Sequence, residues 1–449
     1  MSKAKRKWLS MIAISLILAI TACGGNGTGK SADNGNKDTS EKADSSNGSK
    51  SDAASVKLGV TWAGSQVRHD ATLAALDLYA SQNPNVTFEP SYMGFDTYFT
   101  KLATLSAAHN LPDIMQIDTG NLMDYALRGQ LADLSDGIDT SNINDQLLFA
   151  GVVDGKQYGI PLGANSMTFM YNKTAFDKLG IEIPEQGFTW DELLAIAREV
   201  QPQLEKGKYF MMDLSMATGT TESDKYEIYQ LAKGKGFIHT PDGKFNIDRD
   251  TYLEFNKLFS DLRKEGIVPP ANVTAGHKQY DPQLDLFMNG TILVQREYSA
   301  AFPTFESVHP GQFTMSPVPS DSNPGGFLLP SQFFTVSEES AHLDEAKKFI
   351  DWFVNDKEAG QTLQLVRGVP VSKPVLDDLA PNLDTAAQAQ IDIIDRVAMN
   401  ANPFSSRPKG YGTWTDEWTR VSQAVAFDKL SPEEAFEELK RKWDEIIRQ

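Results

Sequence analysis

Extended and helical segments alternate from Val56 onward, and that alternation restricts the chain to α/β architectures before any motif is weighed. Val56-Lys57-Leu58-Gly59-Val60 alternates in strand fashion, and Thr61 to Ser65 reads as the loop behind it. The pattern then predicts a helix over 68–83, a strand over 86–89, a helix over 95–108 and a strand over 114–117. Strands that alternate with helices make a parallel sheet with crossover connections, and ligands of such open sheets bind beyond the carboxyl ends of the strands. Those ends carry Trp62, Ser65, Met93, Asp96, Asp118 and Asn121.

The stretch 158–192 adds a second kind of information. Tyr158-Gly159-Ile160-Pro161 is extended, since proline excludes a helical start, and the apolar run 167–171 reads as a buried strand. Asn165 and Ser166 lie between these two extended pieces. Thr189 with Glu192 three residues on is a capping box that opens a helix to Val200. Further helices are predicted over 221–233, 252–266 and 281–288, the last stopped by Asn289-Gly290. A strand over 291–294 then delivers Gln295 and Arg296 to its end. The strand 333–336 and the helices 342–354 and 358–366 follow, the first of these helices with Ala346, Phe349, Ile350 and Phe353 on one face. The last part, 384–399 and 418–448, reads as helical. A Pro/Gly-rich loop over 402–413 separates the two pieces and presents Tyr411 and Trp414.

Length and charge bound the function. At 449 residues the chain has room for two compact units, and a formal net charge of −18 argues against a nucleic-acid partner, which needs a basic face. The sole cysteine, Cys23, allows no internal disulfide. It follows a basic start (Lys3, Lys5, Arg6, Lys7) and an apolar run from Leu9 to Ile20, the layout of a secretory signal over 1–22. Residues 24–55 are almost free of apolar side chains and read as a flexible tether. Catalytic signatures such as the nucleophile elbow, the P-loop or a zinc-binding H-E-x-x-H are missing from the sequence, and the six histidines show no metal-ligand spacing.

Three pieces in order, Tyr158 to Pro161, Tyr171-Asn172-Lys173 and Thr189 to Glu192, resemble the solute-binding proteins of carbohydrate ABC importers, the maltose-binding-protein type. The run from Thr61 to Val86, the segment Tyr92 to Asp96 and Pro112 to Gln116 are similar to a subgroup that binds pectin-derived oligosaccharides, with Ala63 as a departure from it. Ile20-Thr21-Ala22-Cys23 resembles the lipobox of bacterial lipoproteins and implies cleavage before Cys23 and its lipidation. The resemblance implies a two-lobed α/β fold of the type II periplasmic-binding-protein kind, with a hinge and a central ligand cleft. It divides the chain into 1–22, 23–55, a first lobe of 56–163 plus 327–368 and a second of 164–326 plus 369–449. It also implies a monomer without cofactor or metal, lipid-anchored on the outer face of the bacterial cell membrane, that hands an oligosaccharide to the permease subunits of an ABC importer.

A saccharide cleft needs aromatic faces for pyranose rings and polar groups for hydroxyls. Trp62, Tyr411 and Trp414, with Tyr92, are the aromatic candidates, whereas Trp352 and Trp443 sit inside amphipathic helices and read as core. Ser65, Asp96, Asp118, Asn121, Asn165, Ser166, Gln295 and Gln332 are the polar candidates. Arg68, Arg296 and Arg367 would pair with a uronate carboxylate if two of them point into the cleft. The competing classes are a surface glycosidase or lyase, which needs little beyond two facing carboxylates, a binder of a non-sugar solute, and an adhesion lipoprotein.

Overall fold

The computed structural model describes residues 55–218 and 222–448, so the signal segment, Cys23 and the tether lie outside the described residues. The strands are, in chain order, β1 (Val56–Ala63), β2 (Val86–Met93), β3 (Ile114–Ile117), the hairpin β4 (Val152–Val153) and β5 (Lys156–Gln157), β6 (Ile160–Pro161), β7 (Ala164–Asn172), β8 (Tyr209–Met211), β9 (Ile292–Tyr298), β10 (Phe313–Pro317), β11 (Leu328–Pro330) and β12 (Phe333–Val336). Two five-stranded sheets result. The first has the order β2-β1-β3-β12-β6; the second runs β10-β7-β9-β8 with β11 beside β7. They define two lobes.

In the first lobe β1 runs parallel to β2 and β3, as strand–helix alternation requires. The departure is β12, which arrives from the second lobe and pairs antiparallel with β3 and β6. The β1 strand also outlasts its predicted end at Val60: Leu58, Val60 and Trp62 continue one buried row with period two, so Trp62 belongs to the strand and not to a loop. Helix Leu343–Asn355 buries Ala346, Phe349, Ile350 and Phe353 as its periodicity predicts. Each such aromatic or branched side chain stabilises the lobe by about 1.5–3 kcal/mol.

In the second lobe, helix Trp190–Val200 starts on the expected capping box: the Thr189 hydroxyl accepts from Glu192 N, and the Glu192 carboxylate accepts from Thr189 N at 2.7 Å. Two expectations fail here, the helix over 281–288 and the layout of the carboxyl end. Residues 281–288 form successive turns rather than a helix, because buried Asp285 takes the backbone N–H groups of Tyr280, Phe287 and Met288. The helix expected over 221–233 is Asp224–Ala232. At the carboxyl end the helix begins at Tyr411, with Gly410 as its N-cap, and the helical stretch is two helices, Tyr411–Ala426 and Pro432–Ile446.

Two crossings between the lobes lie side by side, β6 to β7 and β11 to β12, and the segment after helix Lys357–Leu363 runs along them before helix Lys373–Leu379 packs back on helix Lys357–Leu363; the third crossing follows, ahead of helix Thr385–Ala398, which packs on β7 and β10. They are laced together. Ala164 and Val369 exchange N–H···O bonds of 2.7 and 3.2 Å, Ser331 N donates to Gly163 O at 2.7 Å, and Leu162 N donates to Gln332 O at 2.9 Å. This braid is the hinge.

Candidate functional site

The carboxyl ends of β1 and β2 build the first wall. Trp62 is fully buried, and its indole N–H donates to His69 Nδ1 at 3.1 Å. Its outer face is covered by Tyr92, stacked at 5.1 Å with an interplanar angle of 25°. Tyr92 and Phe95 are the aromatic rings that meet solvent, 41% and 44% exposed. Trp62 is therefore the support of an aromatic ledge rather than its surface, which corrects its expected role.

Arg68 projects from the first turn of helix Gln66–Gln82 and lies against Gly64, where even a Cβ would come within 2.5 Å of the Arg68 chain. Its Nε donates to Val366 O at 3.1 Å, and its guanidinium stands 5.6 Å from the Phe95 ring. Behind it Arg367, 3% exposed, donates to Gln116 Oε1 at 2.8 Å and to Thr72 Oγ1 at 2.7 Å. Gln116 in turn donates to Gln332 at 3.2 Å. No carboxylate among the described residues pairs with either arginine. Burial, reinforced by Arg68, lowers the Arg367 guanidinium to about 9. Its Nε finds no acceptor.

The turn after β3 is held by Asp118. Its Oδ1 accepts from Gly120 N (3.1 Å), Asn121 N (2.9 Å) and Asn121 Nδ2 (2.8 Å). Desolvation pushes the Asp118 carboxyl above the usual aspartate range against these hydrogen bonds. Asp118 and Asn121 thus come together as the sequence suggests, but one oxygen of the pair is committed to the turn. Ser65, the N-cap of the helix that carries Arg68, is exposed and makes no side-chain capping bond. The Asp96 side chain lies outside the described residues.

At the hinge Asn165 Oδ1 accepts from Ser166 N (3.0 Å), Ser299 Oγ (2.8 Å) and Ala300 N (3.1 Å), tying the start of β7 to the end of β9. Ser166 is fully buried and its hydroxyl has no partner. The β9 strand contributes Gln295 and Arg296, both buried. Arg296 is ion-paired with Asp224 and lies 4.8 Å from the Tyr298 ring. Burial alone would depress its guanidinium; Asp224 and Tyr298 hold it above the usual arginine range. Arg296 is thus neutralised inside the lobe, which removes it from the expected trio of arginines.

Tyr411 and Trp414 are corrected as well. The Tyr411 hydroxyl is bonded to Ser223 at 2.8 Å, and Arg407 lies 4.8 Å from its ring while making two bonds to Glu227, 2.8 and 2.6 Å. Trp414 is fully buried, donates to Leu439 O at 3.2 Å and packs against His239 and Trp443. Both belong to the core of the carboxyl-terminal helices. The same strand of chain touches the first lobe: Arg407 N donates to Thr119 O at 2.9 Å and Ser406 Oγ to Ala150 O at 2.5 Å. Sequence reasoning missed Phe95 and the Arg407–Glu227 pair. A Phe at the first position of a helix, directly after Gly94, is the available signal for the first; nothing local marks the second.

Comparisons with known proteins come from three directions. The family model described as bacterial extracellular solute-binding protein matches residues 74–390. A putative binding protein of Brucella abortus (strain 2308) is 27% identical over 218 residues, 48% of this chain and 51% of its own length, so the chain spans about half the length of the first curated relatives it matches. The diacetylchitobiose binding protein of Streptomyces coelicolor is 26% identical over 400 residues, 86% of each chain. Among solved structures, an extracellular solute-binding protein family 1 member from Alicyclobacillus acidocaldarius superposes with a TM-score of 0.72 at 26% identity, covering 88% of this chain and 100% of that one. A periplasmic oligogalacturonide binding protein from Yersinia enterocolitica, in complex with saturated digalacturonic acid, superposes with a TM-score of 0.72 at 21% identity over 87% and 98% of the two chains.

Proposed function

The chain belongs to the bacterial extracellular solute-binding proteins, and from that membership we propose that it captures an oligosaccharide between its two lobes and presents it to an ABC importer. The observation that carries this reading is the braid at the crossings, linked through Arg68 to the Tyr92–Phe95 ledge. Such a hinge lets a ligand that touches both lobes shift an open–closed equilibrium, and the ledge offers the flat apolar face a pyranose needs. The chain works as a binder and carries out no reaction on its ligand. Incubation with oligosaccharides that yields cleavage products would show a glycosidase or lyase instead.

The ligand class follows from charge. Arg68 and Arg367 are like charges beside each other with no carboxylate partner among the described residues, whereas Arg296 and Arg407 are each neutralised. A uronate carboxylate at Arg68 would relieve that repulsion and take a charge-assisted hydrogen bond. A solved neighbour with this fold holds digalacturonic acid, which agrees. A thermal-shift screen separates the possibilities, since a tight ligand raises stability by mass action. Acidic oligosaccharides should raise the midpoint more than neutral ones, and Arg68→Met should weaken the acidic ligand by about tenfold, ~1.4 kcal/mol. A larger shift with neutral chitooligosaccharides, or an unchanged affinity in the variant, refutes the uronate assignment.

At the membrane, Cys23 carries the lipid anchor and residues 24–55 give the globular part its reach to the permease, with the protein acting as a monomer. A single acyl chain holds a protein only marginally, so more than one is required. Cys23→Ser should abolish acyl labelling; label that persists contradicts the anchor.

A further inference from the structure

Tyr280 stands out by its backbone. It has φ +62°, the left-handed region, in which a bulky aromatic residue is strained. Of the other described non-glycine residues with positive φ, three are His or Asp and one is Gln364, so Tyr280 is the single aromatic phenol among them. Strain of this kind persists where the surroundings enforce it. Tyr280 N donates to Asp285 Oδ2 at 3.0 Å, and Asp285 is fully buried. Gln279 Nε2 reaches both the Tyr280 hydroxyl, at 3.1 Å, and Glu297 Oε2, at 2.7 Å.

Packing takes up only part of the ring. The ring is 43% exposed and touches the core through Phe305 alone among aromatic partners, at 5.9 Å edge to face. Glu297 is buried next to the end of the β9 strand, directly before Tyr298 and Ser299, and Ser299 is bonded to Asn165 at the crossing. The strained residue is thus fastened to the hinge-side end of the second lobe's sheet and offers an aromatic face there.

We infer that Tyr280 is a ligand-contacting residue, the second lobe's stacking surface for one pyranose ring of the oligosaccharide. This rests on the saccharide reading proposed above. A ring that stacks on sugar explains why an aromatic is kept where glycine would be unstrained. The phenol's bond to Gln279 orients the ring, and the sugar needs only its face.

The experiment compares wild type, Tyr280→Gly and Tyr280→Phe by calorimetric titration with the oligosaccharide that gives the wild type its largest thermal shift, and by the thermal midpoint of the unliganded proteins. Tyr280→Gly should bind at least tenfold more weakly with a midpoint equal to or above wild type, since glycine releases the strain. Tyr280→Phe should bind within threefold of wild type. The inference is overturned if the glycine variant binds within threefold of wild type, if its midpoint falls, or if the phenylalanine variant is as weak as the glycine one. A wild type that takes no saccharide at all overturns the proposed function together with this inference, whereas a wild type that binds normally beside an equally tight glycine variant overturns the inference alone.

Discussion

Acid sensitivity is set at the scale of single residues, first of all at His239. His239 is buried in a cage of Trp414 (4.5 Å between ring centroids), Trp443 (3.9 Å) and Tyr411 (5.8 Å), and neither ring nitrogen has a hydrogen-bond partner. Burial, with Arg407 adding to it, lowers its pKa well below the usual histidine value of 6.5. The folded state then refuses a proton that the unfolded chain accepts. Stability is full above pH ~6.5 and falls as pH drops below it, by at most ~1.4 kcal/mol per pH unit for one such group. Tyr and Trp neighbours suit an apolar ring, so His239→Phe should match wild type near pH 7.5 and lose less stability between pH 6.5 and 5. His277, also depressed by burial, keeps a residual slope. Denaturant titrations of both proteins across that range test the point, and equal slopes would remove His239 from the account. The same scale sets how much of the aromatic ledge is legible in the sequence. Residue type shows that rings gather at the ends of β1 and β2, but whether Trp62 or Tyr92 is outermost depends on how far a strand continues, and only pairing with β2 settles that.

Among the elements, those with local causes are legible in the sequence and those with distant causes are not. The Thr189–Glu192 capping box and the apolar face of helix Leu343–Asn355 need nothing beyond a few neighbouring residues, and both are found where the spacing puts them. Residues 281–288 have helical spacing, yet Asp285 is buried and draws their N–H groups into turns, a consequence of its tertiary site. The helix that starts at Tyr411 depends on a partner far away in sequence. Arg407, just ahead of it, is fixed by Glu227 on helix Asp224–Ala232, with side chains 9% and 0% exposed. That pair docks the carboxyl-terminal helices onto the second lobe. Removing one partner leaves a buried, uncompensated charge, which costs about 3–5 kcal/mol. Glu227→Gln should therefore lower the thermal midpoint by several degrees, and the double variant Glu227→Leu, Arg407→Met should recover most of the loss, because apolar replacement of both partners is often close to neutral. A Glu227→Gln protein as stable as wild type would mean that Arg407 is held by its aromatic neighbours alone.

At the scale of the whole molecule, the proposed function requires two lobes that move about crossings, two of which are bonded to each other. Gly163 on one crossing bonds Ser331 on the next, and Ala164 pairs with Val369 beside them, so neither of these two crossings can turn without the other. Under the proposed function they act as one joint, and a ligand that bridges Arg68 on one lobe and the β9 end on the other works against a single equilibrium. Gly163 is the tightest point of that joint. A Cβ there would lie 2.0 Å from the Arg367 carbonyl oxygen, 2.8 Å from its carbon and 2.9 Å from Ser331 Oγ, so even alanine must pry two crossings apart. Gly163→Ala leaves the Arg68, Tyr92 and Phe95 side chains in place but should lower the midpoint and suppress the ligand-induced decrease in radius of gyration expected of wild type in small-angle scattering. Gly412 supplies the control. It lies in an exposed stretch of helix Tyr411–Ala426 with nothing within 4 Å of an added Cβ, so Gly412→Ala should stabilise by about 0.5–1 kcal/mol and compact as wild type does. If Gly163→Ala compacts on ligand as fully as Gly412→Ala, closure does not pass through the braid. The lobes would then pivot elsewhere, with the hydrogen bonds of Arg407 N to Thr119 O and Ser406 Oγ to Ala150 O as further contacts between them.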